Sequence, residues 1–370
     1  MKIRVGEYMN KQISKNAQPQ PTESRVTSRG TRKQKKSKKK IIITTILSII
    51  IIIVAVVVLF GTYIVNKVNS KFPEMSIVTE QEGEPNSIAP IAKGESVKDK
   101  PVTLVLLGID QRKGGGGLNT DVMLVAALNP ITKKGAVIAM PRDTRISYYS
   151  KEKDAVEVRK ANAFYANYYV KAQKDGEDKN GAMLKGKAAV RDVLGQFYDI
   201  PIQYAVSVNF QGFRDVVDVL GGIHVDVDMR MKWTDSHDDT DIDLQPGPQT
   251  LNGKQTLDFV RFRQSKANPN ASSDFERNNR QSIVLSAIMK KMISLGGITK
   301  IGDVIDEVSD DVYTDMPTSE LTRMLSTYYN INMDNITFMS LQGKWDNPYV
   351  IASEESLAEA KQLLQSILAE

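Results

Sequence analysis

The chain has 370 residues, 41% of them hydrophobic, with 49 Lys and Arg against 44 Asp and Glu and a formal net charge of +5. It contains no cysteine and two histidines, His224 and His237, which argues against disulfide scaffolds, thiol nucleophiles, thiolate metal sites, Ser-His-Asp hydrolases and His-ligated zinc enzymes. Any chemistry it performs rests on Asp, Arg and Lys, with or without a hard metal ion.

Residues 1–40 hold 13 Lys and Arg against 2 Glu, so this tail carries 13 − 2 = +11 and the remainder 5 − 11 = −6. The basic character therefore belongs to the tail. Residues 41–65 are uncharged throughout and show no polar stripe. At about 1.5 Å per residue they are long enough to cross roughly 30 Å of hydrocarbon as a helix. The basic run "TRKQKKSKKK" lies directly before this segment, and the positive-inside rule keeps that end cytoplasmic and exports the chain beyond residue 66. A nucleic-acid-binding tail is the competing reading, and adjacency to the span favours a topogenic role instead. No small-residue cleavage site comes after it, so the segment reads as a retained signal anchor, residues 41–66. An exported domain without disulfides fits a Gram-positive-type envelope. Residues 67–100 are polar and Pro/Gly-bearing, and read as an extracellular stalk.

From residue 101 the pattern changes. "VTLVLLGI" (102–109), "VMLVAAL" (122–128) and "GAVIAM" (135–140) are short apolar runs bounded by turn residues, as in strands buried on both faces. Amphipathic stretches at 187–197, 211–220 and 277–293 alternate with strand-like runs at 205–210, 221–229 and 336–341. Interleaved strands and helices predict a layered α/β domain. In "GGIHVDV" the alternation directs His224 away from the apolar face, an exposed strand position. Residues 101–370 read as one domain, in which 296–370 form a C-terminal extension packed on 101–295.

The segment "GIDQRKGGGGLNTD" (108–121) joins two of these runs through four consecutive glycines. It has neither the Gly-Lys-Ser/Thr of a P-loop nor the spacing of a dinucleotide fold, so a phosphate cradle and a plain hairpin-like connection both remain open. Asp110 ends one run and Asp121 begins the next. Neighbouring strands would bring both carboxylates to one rim, an arrangement suited to Mg²⁺. Arginines cluster in "MPRDTR" (140–145), "VRFR" (260–263) and "DFERNNRQ" (274–281). In a helix, Arg277, Arg280 and Gln281 share a face; in an extended "VRFR", Arg261 and Arg263 do. Each could serve as a surface salt bridge. Three clusters at element ends in an acidic domain point instead to a polyanionic diphosphate, which guanidinium groups grip bidentately.

"GID" with "TD" eleven residues on, "MPRDT", "KANAFYA", "VNFQGFRDVVDVLGGIHVDV", "PGPQTLNGKQTLDFVRFR" and "DFERNNRQ" occur in the order found in the LytR-CpsA-Psr (LCP) family, which residues 101–295 resemble. The resemblance implies a layered α/β/α fold with a central mixed sheet behind one N-terminal transmembrane helix. It implies transfer of an anionic glycopolymer, such as wall teichoic acid or capsule, from an undecaprenyl diphosphate carrier to peptidoglycan as a phosphodiester. Carried over by motif, Asp110 and Asp121 would hold Mg²⁺, and Arg142, Arg261, Arg263, Arg277 and Gln281 would grip the diphosphate. Lys160, Asn162 and Arg280 fall in the matching motifs and join the expected substrate-binding set. Asp143 reads as an organiser of Arg142 or, alternatively, as a base for the acceptor hydroxyl.

Many family members have Arg where this chain has Asn119, and Arg112 or Lys113 is the available replacement. The acidic segment 230–249 lacks the EF-hand glycine and terminal glutamate, so a solvated loop is favoured over a Ca²⁺ site. The same residues would also serve a polyprenyl-diphosphate hydrolase, and a non-catalytic lipid-binding wall or signalling protein is the third reading. The polyprenyl tail needs an apolar place, expected between the sheet and its helices; an ordinary filled core there is the alternative.

Overall fold

The computed structural model describes residues 66–67, 70–78, 96–109, 118–235, 240–262, 274–294, 298–328 and 331–370, all within one compact unit, Phe60–Glu370. The expected membrane span, 41–65, lies outside the described residues, as do Asp110, Arg112, Lys113, the four glycines, His237 and Arg263. No helix among the described residues is long and apolar enough to cross a membrane.

The three apolar runs after residue 101 form β1 (Val102–Ile109), β2 (Thr120–Leu128) and β3 (Gly135–Ala139), antiparallel neighbours in that order. Residues 110–117 of the segment that joins β1 to β2, its four glycines among them, lie outside the described residues. A twisted ribbon comes next, β4 (Arg145–Ser150) and β5 (Ala155–Lys160), then α1 (Ala163–Lys174) and α2 (Lys179–Tyr198). After these, β6 (Tyr204–Asn209) lies parallel to β1, and Asn209 caps α3 (Phe210–Val219) by accepting from Gly212 N.

Gly221 and Gly222 then turn the chain with φ of 74° and 84°, values that suit glycine. The turn leads into β7 (Ile223–Val227), the hairpin β8 (Met231–Asp235) and β9 (Thr240–Leu244), and β10 (Gly247–Leu251), which pairs with β7. His224 is exposed, as its alternation requires. The acidic segment is a hairpin rather than a loop, and its Asp243 pairs with Arg230.

Then come α4 (Gly253–Arg261), α5 (Asp274–Ser294), α6 (Ile298–Val308), β11 (Val312–Thr314), α7 (Thr318–Tyr328), β12 (Ile336–Ser340), the hairpin β13 (Gly343–Asp346) and β14 (Tyr349–Ala352), and α8 (Glu354–Ala369).

The central sheet has the order β11-β6-β1-β2-β3-β12, with β6 and β12 parallel to their inner neighbours and the other pairs antiparallel. It is a mixed sheet between two helical layers. Val105, Leu107, Met123, Val125 and Ile138 point to one face and pack with α1, α2 and α8. Leu104, Leu106, Val122, Leu124 and Val137 point to the other, where Leu285 and Tyr328 meet them. Removing a Leu- or Phe-sized side chain from water contributes roughly 1.5–3 kcal/mol, so these two faces dominate the stability.

Two expected boundaries change. The C-terminal residues supply both edges of the central sheet, β11 and β12, so 296–370 belongs to the domain's framework rather than to an appendage. The stalk assignment also fails for 70–78 and 96–100: Phe72, Ile77 and Val97 are buried against the domain, and Ser76 bridges Thr314. Apolar side chains in a mostly polar segment are sufficient to dock it.

Beneath β6, Lys187 of α2 is fully buried and donates to Ser207 Oγ at 2.7 Å and Tyr313 O at 2.9 Å. Arg191 and Asp315 form a buried ion pair beside it, 3.1 Å apart.

Candidate active site

The rim at one end of the sheet is built by the start of β2 and the residues leaving β3. After β3 the chain turns at Pro141, whose carbonyl accepts from Thr144 N at 3.0 Å and Thr144 Oγ1 at 2.6 Å. This turn projects Arg142 across to β2, where its guanidinium donates to the Asp121 carboxylate. The "KANAF" segment holds the turn from behind. Asn162 N donates to Arg142 O at 3.0 Å, and Ala161 N to Thr144 O at 2.9 Å. Asp143 is largely buried, accepts from Lys160 Nζ at 2.9 Å and lies 3.7 Å from Arg142 Nε. Its carbonyl accepts from Val350 N at 2.9 Å. Asp143 thus lies between Lys160 and Arg142 and contacts both. Lys160 and Asn162 stand behind the arginine rather than along the cavity, and the Asn162 side chain makes no cap hydrogen bond to α1.

The third wall comes from α4 and α5. Asn252 and Gln255 form a capping box at the start of α4. Gly253 lets that end press on α3: a Cβ there would lie 2.3 Å from Arg214 O, and Gly253 N donates to Asp218 Oδ1 at 2.7 Å. The helix continues through Val260 to Arg261 and stops at Phe262, whose backbone is extended; Arg263 lies outside the described residues. Arg261, at the last helical position, stacks over Phe210, 4.8 Å from the ring centre. Burial pushes the Asp258 carboxyl up, opposed by the Lys254 ammonium 2.7 Å away.

On α5, Arg277 and Gln281 face the rim one turn apart, and Gln281 Nε2 lies 3.5 Å from Asp121 O. Arg280 does not join them. Its guanidinium turns away to Asp228, with contacts of 2.9 and 2.6 Å, and sits against Phe259 and Phe262. The shared face expected for all three residues splits because position 280 is a full 100° from 281 around the helix.

Arg142, Asp121, Arg261, Arg277 and Gln281 surround the mouth of a cavity of about 450 Å³ between the sheet and α3, α4 and α5. Behind the mouth its lining is apolar, with Leu106, Leu124, Val206, Val208, Phe213 and Leu285 among the contributors. The sequence led to an apolar place between the sheet and its helices but did not single out the lining residues, because an apolar helix face beside a cavity has the same pattern as one beside a filled core. Arg142 Nε and Gln281 Oε1 are buried without a hydrogen-bond partner, although Arg142 Nε faces the Asp143 carboxylate at 3.7 Å. Asn119 is exposed at the start of β2. No group of three or more metal-ligating side chains occurs among the described residues.

A protein of Bacillus licheniformis named polyisoprenyl-teichoic acid–peptidoglycan teichoic acid transferase TagU is 31% identical over 228 residues, 62% of this chain and 64% of that one. The match thus spans a little under two thirds of that relative. The protein of the same name from Oceanobacillus iheyensis is 28% identical over 297 residues, covering 79% of this chain and 84% of its own. Among solved structures, Bacillus subtilis TagV aligns with a TM-score of 0.57 at 27% identity, over 74% of this chain and 98% of that one. The LytR_cpsA_psr family profile matches residues 62–366, and with the ordered motifs gathered at one rim, this chain belongs to the LytR-CpsA-Psr family.

Proposed function

We propose that the protein transfers an anionic glycopolymer from a polyprenyl diphosphate carrier to a hydroxyl of peptidoglycan. The observation that carries this reading is the cavity: an apolar interior behind a mouth bearing three arginines, Asp121 and Gln281. An apolar hole alone would suit many lipids, and a cationic rim alone many anions. Together they match a long isoprenoid ending in a diphosphate.

The acceptor hydroxyl oxygen bonds to the phosphorus that carries the polymer, the bond from that phosphorus to the bridging oxygen breaks, and polyprenyl phosphate leaves, the hydroxyl proton passing to the departing phosphate or to water. Arg142, Arg261 and Arg277 stabilise the charge that builds on the phosphoryl oxygens, the main contribution in transfers of this kind. Asp143 keeps Arg142 aimed. Asp121 presents a hard oxygen ligand at the mouth, about one-fifth exposed, which fits a divalent ion of the Mg²⁺ type. Asp121, with Asp110, would hold that ion, whose chemistry when bound is to neutralise diphosphate charge. The polymer class, supported by the names of the relatives, and an exported domain with a membrane anchor at 41–66, supported by the sequence of the tail, belong to the same proposal.

The test uses the full-length chain in detergent with a synthetic polyprenyl-diphosphate glycan and peptidoglycan oligomers, followed by mass spectrometry with and without Mg²⁺. A phosphodiester conjugate is expected, and Arg142→Lys is expected to lower its rate about 100-fold through loss of the planar fork. Free polyprenyl phosphate without conjugate would replace transfer with hydrolysis. Absence of any turnover with bound donor would leave a lipid-binding protein.

A further inference from the structure

On the side of the rim opposite the cavity, the β4–β5 ribbon leaves one face open. Ile146 and Tyr148 of β4 pack inward with Leu107, Met123 and Val125, the sheet face turned away from the cavity. The alternate positions point out. Register puts Arg145 beside Lys160, Ser147 beside Val158 and Tyr149 beside Val156, and the three hydrophobic members of this set are 40–63% exposed. At the rim end of this face, the Lys160 ammonium lies 5.7 Å from the ring centre of Trp345, which is 53% exposed. The same ammonium is paired with Asp143, which is paired with Arg142. Trp345 is opposite Val350, and Val350 bridges Thr144, so the indole's strand stands two strand spacings, about 10 Å, from the reacting rim.

We infer that Trp345 and Lys160 form a subsite for the acceptor glycan strand, with the open face of the ribbon as its continuation. The inference rests on the phosphotransfer reading. In-line displacement requires the nucleophile to approach opposite the leaving group. The leaving polyprenyl phosphate occupies the cavity side, so the acceptor arrives from the ribbon side. A pyranose presents a C–H face and a polar edge. The exposed indole covers the first, and Lys160, with donors to spare, meets acyl carbonyls and carboxylates on the second. The chemistry recognised is an N-acylated, carboxylate-bearing sugar chain, and Arg145 further along the face complements that negative charge.

The experiment uses the full-length chain in detergent. Replacing Trp233 with Phe leaves Trp345 as the sole tryptophan of the two in the sequence, and its emission is titrated with lipid-free muramyl glycan oligomers. A saturable change is expected, and none would overturn the subsite even if the protein transferred nothing. In the transfer assay, Trp345→Ala should raise the acceptor KM about tenfold while donor KM stays within twofold, and Trp345→Tyr should restore most of the loss. A rise in donor KM with acceptor KM unchanged would assign the indole to the donor glycan and refute the inference. Failure of transfer in the unmodified chain, with the emission change intact, would refute the phosphotransfer reading and leave the glycan site standing.

Discussion

Lys187 offers a sharp test of the packing beneath the active-site sheet. Burial pushes its ammonium down to about 7 from an ordinary 10.5, with the Asp315 carboxylate working the other way and Arg191 reinforcing the depression. Between pH 7 and 10.5 the unfolded chain holds a proton there that the folded chain does not, so stability rises with pH across that window. Below 7 both states are charged, and above 10.5 both are neutral. The slope is about 1.4 kcal/mol per pH unit, so from pH 7 to 9 the rise attributable to this group is about 3 kcal/mol. Lys187→Met removes the titration while keeping the length of the side chain. Ser207 Oγ, 3.2 Å from Tyr313 O, still donates to that carbonyl, so the carbonyl keeps a partner. Urea unfolding of both proteins in non-ionic detergent at pH 6, 7, 8 and 9, monitored by tryptophan emission, gives the difference for Lys187 together with its coupled neighbour Asp315, the other titrating groups being present in both. The Met variant should be the more stable at pH 6, and the gap should close as pH rises. Parallel curves for the two proteins would show that Lys187 is not held neutral by its surroundings and would refute the argument.

Asp228→Ala should destabilise the fold by about 2–4 kcal/mol, since it removes the bidentate carboxylate from the buried Arg280, while donor KM is unchanged; a selective KM effect in steady-state kinetics would return Arg280 to the binding set. Val208→Phe intrudes on the cavity behind the mouth, and a chain-length series of donors should show KM rising about tenfold or more for long prenyl chains and little for short ones. Gly253→Ala forces the start of α4 away from Arg214 and displaces Arg261 at its far end, so thermal unfolding should report a loss of about 1–3 kcal/mol together with reduced activity.

Periodicity located the central strands well, because β1, β2 and β3 are buried on both faces and bounded by turn residues, a pattern few other elements share. It left Val260–Arg261 open, because four residues are too few to separate an extended segment from the end of a helix, and the helix there runs to Arg261. Arg280 shows a second limit. Helical spacing placed it on the face of Arg277 and Gln281, but nothing local in the sequence marks Asp228, 52 positions away, as its partner. The cavity was illegible for a deeper reason: whether apolar side chains meet or leave a gap depends on how α3, α4 and α5 sit over the sheet. Docking of the supposed stalk was legible in principle, since apolar residues, Phe72, Ile77 and Val97 among them, recur through a mostly polar segment.

The cavity opens at the rim to which the proposed transfer is assigned, and that links turnover to release. In the proposed reaction the isoprenoid makes the same apolar contacts before and after transfer, while the departing head loses one phosphate and the attached polymer. The spent carrier therefore keeps most of what held the donor. Each copy would complete one fast conversion and then wait for its lipid to slip back into the bilayer, so added polyprenyl phosphate would compete with fresh donor and the surrounding membrane would set the steady pace.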